Sequence, residues 1–571
     1  MNYLRKLIHI LLVSVLFCFS VFSQVPPSET NFIAPLNIPL VLAGTFGELR
    51  SNHFHSGIDI KTKGKEGFPV IAIEDGYVSR VKVTPGGYGR ALYITHYNGY
   101  VSVYAHLKDF HLDIASYLID EQYSRQKFAV DLFPNKEALV YEKGDTIAWT
   151  GNSGSSTAPH LHFEIRDAKT QKVINPLLFG FKAKDTTSPT IKNIHIYPLD
   201  HQAIINGKND TLRIPVSKVT PSKYLINQDN IILDGLIGFG IDVYDQLDNA
   251  PNKNGVYSIE LNLDSTLIYK HDMDGFYFSE TRYINSLMDY HAKKKYSIRP
   301  QKSFKDPNNK LSIYDTLIND GRIVFNSQEN HQAEYIVKDI EGNTARLNFN
   351  FKSDSSIQVP SVDKQGELFM YNNENKFQDE NISLIIEPNS LYDDINFSYK
   401  VLQGQNDLIS DIHCIHYEET PIHSAFSIAI AQDSLDIPHR DKAVICLVKK
   451  GAVASCLRTK WVNDTLRAES RTFGQYGVVI DSISPSIKTK SFSYDLSVAN
   501  YMSFIVEDTL SGINTYKAFV DGDWILLDYD AKNKKLTHYF DGKIKPGQHE
   551  LEIIVTDIVK NEKRLKLKFV R

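Results

Sequence analysis

The chain opens on an apolar block. Arg5 and Lys6 precede Leu7 to Ser23, a run without a formal charge. Val21 and Ser23 are small enough to precede a signal-peptidase cut, so the pattern predicts a cleaved signal peptide over 1–23. The run is short for a membrane span. Phe17 precedes Cys18 where a lipoprotein signal would carry a small residue. No later stretch is long and apolar enough to cross a bilayer. Pro26, Pro27 and Pro35 mark an extended linker over 24–36.

Beyond the linker the hydrophobic period is two. Val70 to Ile73 reads as a strand, and Gly76 turns into Tyr77 to Val81. Ala91 to His96 alternates, Asn98-Gly99 signals a hairpin turn, and Tyr100 to Leu107 alternates again. In that last strand the alternation places Tyr104 and His106 on the polar side, with Val103, Ala105 and Leu107 inward. Asn175-Pro176 closes the series. The prediction is an antiparallel all-β domain over 37–184.

The remainder repeats itself. Ile336-Val337-Lys338-Asp339-Ile340, with Asn343, Arg346 and Leu347 behind it, recurs as Ile554-Val555-Thr556-Asp557-Ile558 with Asn561, Arg564 and Leu565. Asp185-Thr-Thr-Ser188-Pro189 likewise recurs as Asp481-Ser-Ile-Ser484-Pro485. Short alternating strands over such lengths predict immunoglobulin-like β-sandwiches over 185–353 and 481–571. The first carries an insertion in the polar stretch near 266–312. A β-rich domain fills 354–480, where Ile395 to Val401 and Val444 to Val448 read as strands. Trp461 and Trp524 are expected in cores.

Charge and cysteine content narrow the partners. The 571 residues carry 63 Lys+Arg against 68 Asp+Glu, a net charge of -5. Loss of Arg5 and Lys6 with the signal leaves 61 against 68, or -7. Nothing electrostatic favours nucleic acid. Of 4 cysteines, Cys414, Cys446 and Cys456 survive cleavage. That is too few for a disulfide scaffold. One bridge with one free thiol is possible, and the pairing stays open.

The chemistry gathers in the front domain. In a strand, residues two apart share a face. His160 and His162 therefore face one way, and Leu161, Phe163 and Ile165 face a core. His55 and Asp59, four apart, share a face if their segment is a strand. Two imidazoles and a carboxylate can hold zinc tetrahedrally with one position open for water. His53, two residues from His55, is a rival ligand. Arg50 is a candidate either to orient substrate or to pair with an acid. Glu164 is expected to be structural.

These segments sit in a longer ordered text. Phe46-Gly47 precedes His55-Ser56-Gly57-Ile58-Asp59. Gly67-Phe68-Pro69-Val70, Asp75-Gly76, Gly87-Tyr88-Gly89 and Val103-Tyr104-Ala105-His106-Leu107 follow. Gly144-Asp145 then leads through Thr150-Gly151 and Ser153-Gly154 to Pro159-His160-Leu161-His162-Phe163-Glu164. Over about residues 37–180 this resembles the lysostaphin/LytM-type zinc metallopeptidases, which cut peptide bonds in bacterial cell walls.

The resemblance implies one Zn2+ on His55, Asp59 and His162, with His106 and His160 as a non-ligand catalytic pair. It implies peptidoglycan stem peptides or cross-bridges as substrate, in the periplasm or at the cell surface. An envelope protein could be a further partner through the tail. The alternative is a non-catalytic envelope scaffold or regulator of other wall hydrolases, but all five positions are filled. One departure stands out. His106 and Gly144 are unusually far apart for this family. The insert 112–134, with Tyr117, Tyr123, Phe128 and Phe133, predicts a wall beside the groove, or else an elaboration packed on the domain.

Overall fold

A computed structural model describes residues 27–571 except 249, 357–365, 406, 433–436 and 463. The signal peptide expected over 1–23 lies outside the described residues. No described helix is long and apolar enough to cross a membrane.

The structure is all-β. The front region builds one large antiparallel sheet and one small one. The strands are β1 (Leu42–Gly44), β2 (Ile58–Lys61), β3 (Pro69–Ile71), β4 (Gly76–Val83), β5 (Arg90–His96) and β6 (Tyr100–Ala105). They continue with β7 (Leu107–Phe110), β8 (Val130–Leu132), β9 (Val140–Tyr141), β10 (Thr146–Thr150), β11 (His160–Asp167) and β12 (Val173–Ile174). The large sheet runs β1-β2-β11-β6-β5-β4-β8, and the small one β3-β10-β7. Val78, Leu92, Ile94, Leu161, Phe163 and Ile165 lie in one core cluster. Each such side chain contributes roughly 1.5–3 kcal/mol by leaving water.

Two expectations about strand faces need correction. Tyr104 pairs with Phe163 across β6 and β11 and lies in the core, while Val103 and Ala105 lie on the opposite face. All six residues of β6 are buried, so alternation there separates two interiors rather than core from solvent. His106 then breaks the alternation with a left-handed φ of 59° between β6 and β7. His55, for its part, precedes β2 instead of lying on it.

The insert after β7 is a helix, α1 (Leu112–Arg125). Its Ile114 and Leu118 enter the domain core together with Phe128, Val130 and Leu132. The insert is thus packed on the domain; it is not built as a free wall. Its outer face meets the C-terminal region. Tyr123 donates to Asp541 at 2.6 Å and stacks edge-on against Trp524 at 5.3 Å.

Among the described residues the tail holds three large cores, with smaller clusters beside them. The first gathers Ile194, Phe239, Tyr335 and Leu347 from strands between 190 and 353. The insertion anticipated near 266–312 reaches back to the front domain. Its Gly275–Phe276 strand pairs with β12, and Met273 and Phe276 pack with Phe46, Leu49 and Phe54. Next come two five-stranded sheets around Leu384, Ile428 and Ile445. Here Cys446 is bonded to Cys456, and Cys414 is a buried free thiol. Last come two four-stranded sheets around Phe504, Leu536 and Ile553. The two repeat motifs form the same hairpin turn. The Asn343 N–H donates to Asp339 Oδ1 at 2.8 Å, and the Asn561 N–H to Asp557 Oδ1 at 2.7 Å.

Candidate metal and catalytic centre

Backbone pairing sets the site before any side chain does. Strand β2 lies against β11 with Asp59 directly opposite His162. The approach just ahead of β2 is so close that a Cβ on Gly57 would sit 2.2 Å from the Phe163 carbonyl oxygen. Only glycine fits there. Strand β6 lies on the other side of β11 with Ala105 opposite His162, which delivers His106 to the same face.

Each inner side chain is then aimed by an outer partner. His55 Nδ1 bonds the Thr45 carbonyl at 2.7 Å, which leaves Nε2 facing inward. His162 Nε2 bonds Glu164 Oε1 at 2.9 Å, which leaves Nδ1 facing inward. Arg50 Nη2 donates to Asp59 Oδ2 at 2.9 Å and to Glu48 Oε2 at 3.2 Å, which leaves Asp59 Oδ1 free to face the imidazoles. The three inner atoms stand 3.0, 3.1 and 3.0 Å apart. A tetrahedral zinc with ligand bonds of roughly 2.0–2.2 Å needs edges of about 3.3 Å. Two imidazole lone pairs and a carboxylate oxygen in such contact repel one another unless a cation or protons lie between them. The residues present therefore fit a metal ion.

The electrostatics agree. Burial alone would push His162 down, yet hydrogen bonds to Asp59 and Glu164 hold it up at about 9. Burial would raise Asp59, but the surrounding imidazoles hold it well below the usual carboxylate range. The pocket is one that stabilises positive charge.

His106 and His160 stand beside this set. Their rings are 4.8 Å apart. His106 Nδ1 bonds the Ser153 carbonyl at 2.9 Å, and His160 Nδ1 the Ala158 carbonyl at 2.8 Å. Both thus turn Nε2 to the site, with that of His160 lying 3.3 Å from Asp59 Oδ1. Burial and the neighbouring His162 and His160 push His106 down to about 3. The loop supplying these carbonyls is gripped from the C-terminal region: Lys532 Nζ donates to the Asn152 carbonyl and, at 2.9 Å, to that of Ser156.

His53 is exposed and outside the set. Arg50 pairs with two acids, Asp59 and Glu48. Glu164 does more than fill space. Fully buried, it also accepts from Ser56 Oγ at 2.6 Å, from Tyr88 OH, and from Arg166 Nε at 2.8 Å. The alternation His160, His162, Glu164, Arg166 along one face carries this signal in the sequence. The Thr45 carbonyl carries none, because any residue supplies a carbonyl.

The family model for peptidase family M23 matches residues 53–118. The chain contains a peptidase M23 domain. An uncharacterized metalloprotease of Haemophilus influenzae is 34% identical over 123 residues, 22% of this chain and 20% of its own length. The DD-carboxypeptidase/endopeptidase Mpg of Neisseria meningitidis is 34% identical over 118 residues, 21% of each. The chain thus spans about a fifth of the length of the curated relatives it matches. The catalytic domain of lysostaphin from Staphylococcus simulans is 22% identical, covers 24% of this chain and 91% of that one, and has a TM-score of 0.19, too low to carry weight. In the tail, a Zu5-like domain model matches residues 366–481. The matched family is one of peptidases, its curated relatives include a named metalloprotease, and His55, Asp59 and His162 form a group that could hold a metal ion.

Proposed function

We propose that the protein is an exported zinc metalloendopeptidase that hydrolyses peptide cross-links of bacterial peptidoglycan. The observation that carries this is the convergence of His55 Nε2, Asp59 Oδ1 and His162 Nδ1, each freed by an outer partner that holds its other polar atom. Zinc held there would polarise the scissile carbonyl and lower the pKa of bound water toward ~7. The chain's own residues handle the protons. His106 stays neutral through the working range, so its Nε2 lone pair is available. One of His106 and His160 accepts the water proton. The other hydrogen-bonds the developing oxyanion, and one of them returns a proton to the leaving amine.

The M23 relatives support a peptidase, and the one named Mpg is described as a carboxypeptidase and endopeptidase. The Cys446–Cys456 disulfide fits an oxidising compartment outside the cytoplasm. Zinc analysis together with chromatography of digested sacculi tests the proposal. His55→Ala should lose zinc and activity, and His106→Ala should lose activity and keep zinc. A His55→Ala protein that still cut purified sacculi would sink the assignment.

A further inference from the structure

A second group of oxygen ligands lies away from the M23 centre, where its domain meets the first tail unit. Carboxylate oxygens of Asp185, Asp245 and Asp339 stand within 4.8 Å of one another. All three line a cavity of about 20 Å3. That is room for one water or one ion. Asp245 is 3% exposed, and its buried Oδ1 has no hydrogen-bond partner. Among the described residues, no lysine or arginine forms a salt bridge with any of the three.

The C-terminal unit provides an internal comparison, because the same repeat places Asp481, Asp508 and Asp557 together. There the charges are met by backbone donors. Asp508 Oδ2 accepts from the N–H groups of Leu510 and Gly512, at 3.2 and 2.6 Å. Asp481 accepts from those of Ile483 and Ser511, at 3.2 and 3.0 Å. In the first unit the loop after Asp245 runs on to Asn254 and Gly255. The Gly255 N–H goes to Thr45 Oγ1 of the M23 domain at 3.2 Å. Asp185 Oδ1 accepts from the Thr187 N–H at 2.9 Å and Asp339 Oδ1 from that of Asn343 at 2.8 Å, as their C-terminal counterparts do, but the buried Asp245 Oδ1 has no partner where Asp508 Oδ2 has two.

We infer that Asp185, Asp245 and Asp339 bind one divalent cation of the calcium type, and that the C-terminal cluster does not. Three carboxylates and no nitrogen or sulfur ligand suit a hard cation, with water completing the shell. Without it, burial and the mutual repulsion of the carboxylates push Asp245 up to about 8 and Asp185 to about 6.

The test uses the full chain with its M23 centre loaded with zinc. Calorimetry with Ca2+ should show one ion bound by the wild type and by Asp508→Asn, and none by Asp245→Asn. Added Ca2+ should raise the melting temperature of the first two and leave Asp245→Asn unmoved. Without Ca2+ at neutral pH, Asp245→Asn should melt no lower than the wild type, since an amide is buried without the proton uptake that burial demands of Asp245. A merely structural Asp245 would give the reverse and overturn the inference. So would a wild type that takes up no Ca2+ by about 10 mM, beyond the weak end of extracellular sites, or binding that survives Asp245→Asn. A check on the wild type alone does not depend on the variant folding. Tyr257 lines the cavity, so bound Tb3+ should luminesce on tyrosine excitation and be displaced by Ca2+. Absence of that signal overturns the assignment.

Discussion

At the residue scale the centre is built from pairs, an inner atom and an outer atom that aims it. Glu164 is the clearest case, because its carboxylate holds His162 by one oxygen and Arg166 by the other. Glu164→Gln keeps the shape and loses the charge. Changes to such outer partners cost ~10–100-fold in metal affinity or activity. We expect a loss of that size, read as zinc retained against a competing chelator, and unchanged retention would refute it. Arg50→Ala should act in the same direction, since it removes the Nη2 that donates to both Asp59 and Glu48. A second residue-scale prediction concerns pH. Asp245 titrates higher in the folded chain than its ordinary 3.8, at about 8. Over that interval the folded state binds more protons than the unfolded one, so stability falls as pH rises. Denaturant titrations without Ca2+ should show the wild type losing ground to Asp245→Asn between those values, and parallel curves would contradict this. Strand period points to His160 and His162, and the ordered motifs add His55, Asp59 and His106. The Thr45 carbonyl was not legible in the sequence, because tertiary approach alone creates its role.

At the scale of elements, the register of β2 against β11 is the structural fact on which the metal set depends. Gly57→Ala would force a methyl group against the Phe163 carbonyl. Overpacking of this kind costs roughly 1–3 kcal/mol, occasionally more. We expect a lower denaturation midpoint together with lost zinc, because Asp59 and His162 are held opposite each other by that pairing. Normal zinc content in the variant would show the register to be more forgiving. Element type was largely readable from the sequence, and strand facing only in part. Where both faces are buried, as in β6, alternation does not say which face is the site. The aromatic content of the insert does not announce α1 as a helix. The spacing of Ile114, Leu118 and Gln122 is helical and gives it away in retrospect.

At the scale of the molecule, the M23 domain is clasped from two sides. The first tail unit pairs a strand with β12 and covers Phe46, Leu49 and Phe54. The C-terminal unit adds an ion pair between Asp528 and Arg90. A cleft of about 570 Å3 runs along that second junction, bounded by Arg90, Ser153 and Asp109 on one side and by Asp528 and Tyr539 on the other. A fragment ending at 184 would bare that apolar cluster and lose the Thr45–Gly255 contact. We expect it to aggregate or melt well below the full chain, and a monomeric fragment of equal melting temperature would refute the clasp. The sequence showed the repeat but not this docking, since contacts between distant segments leave no local period.

The grip of Lys532 on the 152–156 loop also has a consequence in time. A ribosome releases the histidines hundreds of residues before it releases Lys532. The carbonyl of Ser153, which orients His106, thus lies in a loop whose brace is made long after the loop itself. A nascent chain would hold all five site residues while that loop lacked its clamp. The ordered geometry around His106 would then arrive only once the C-terminal unit had folded onto that loop.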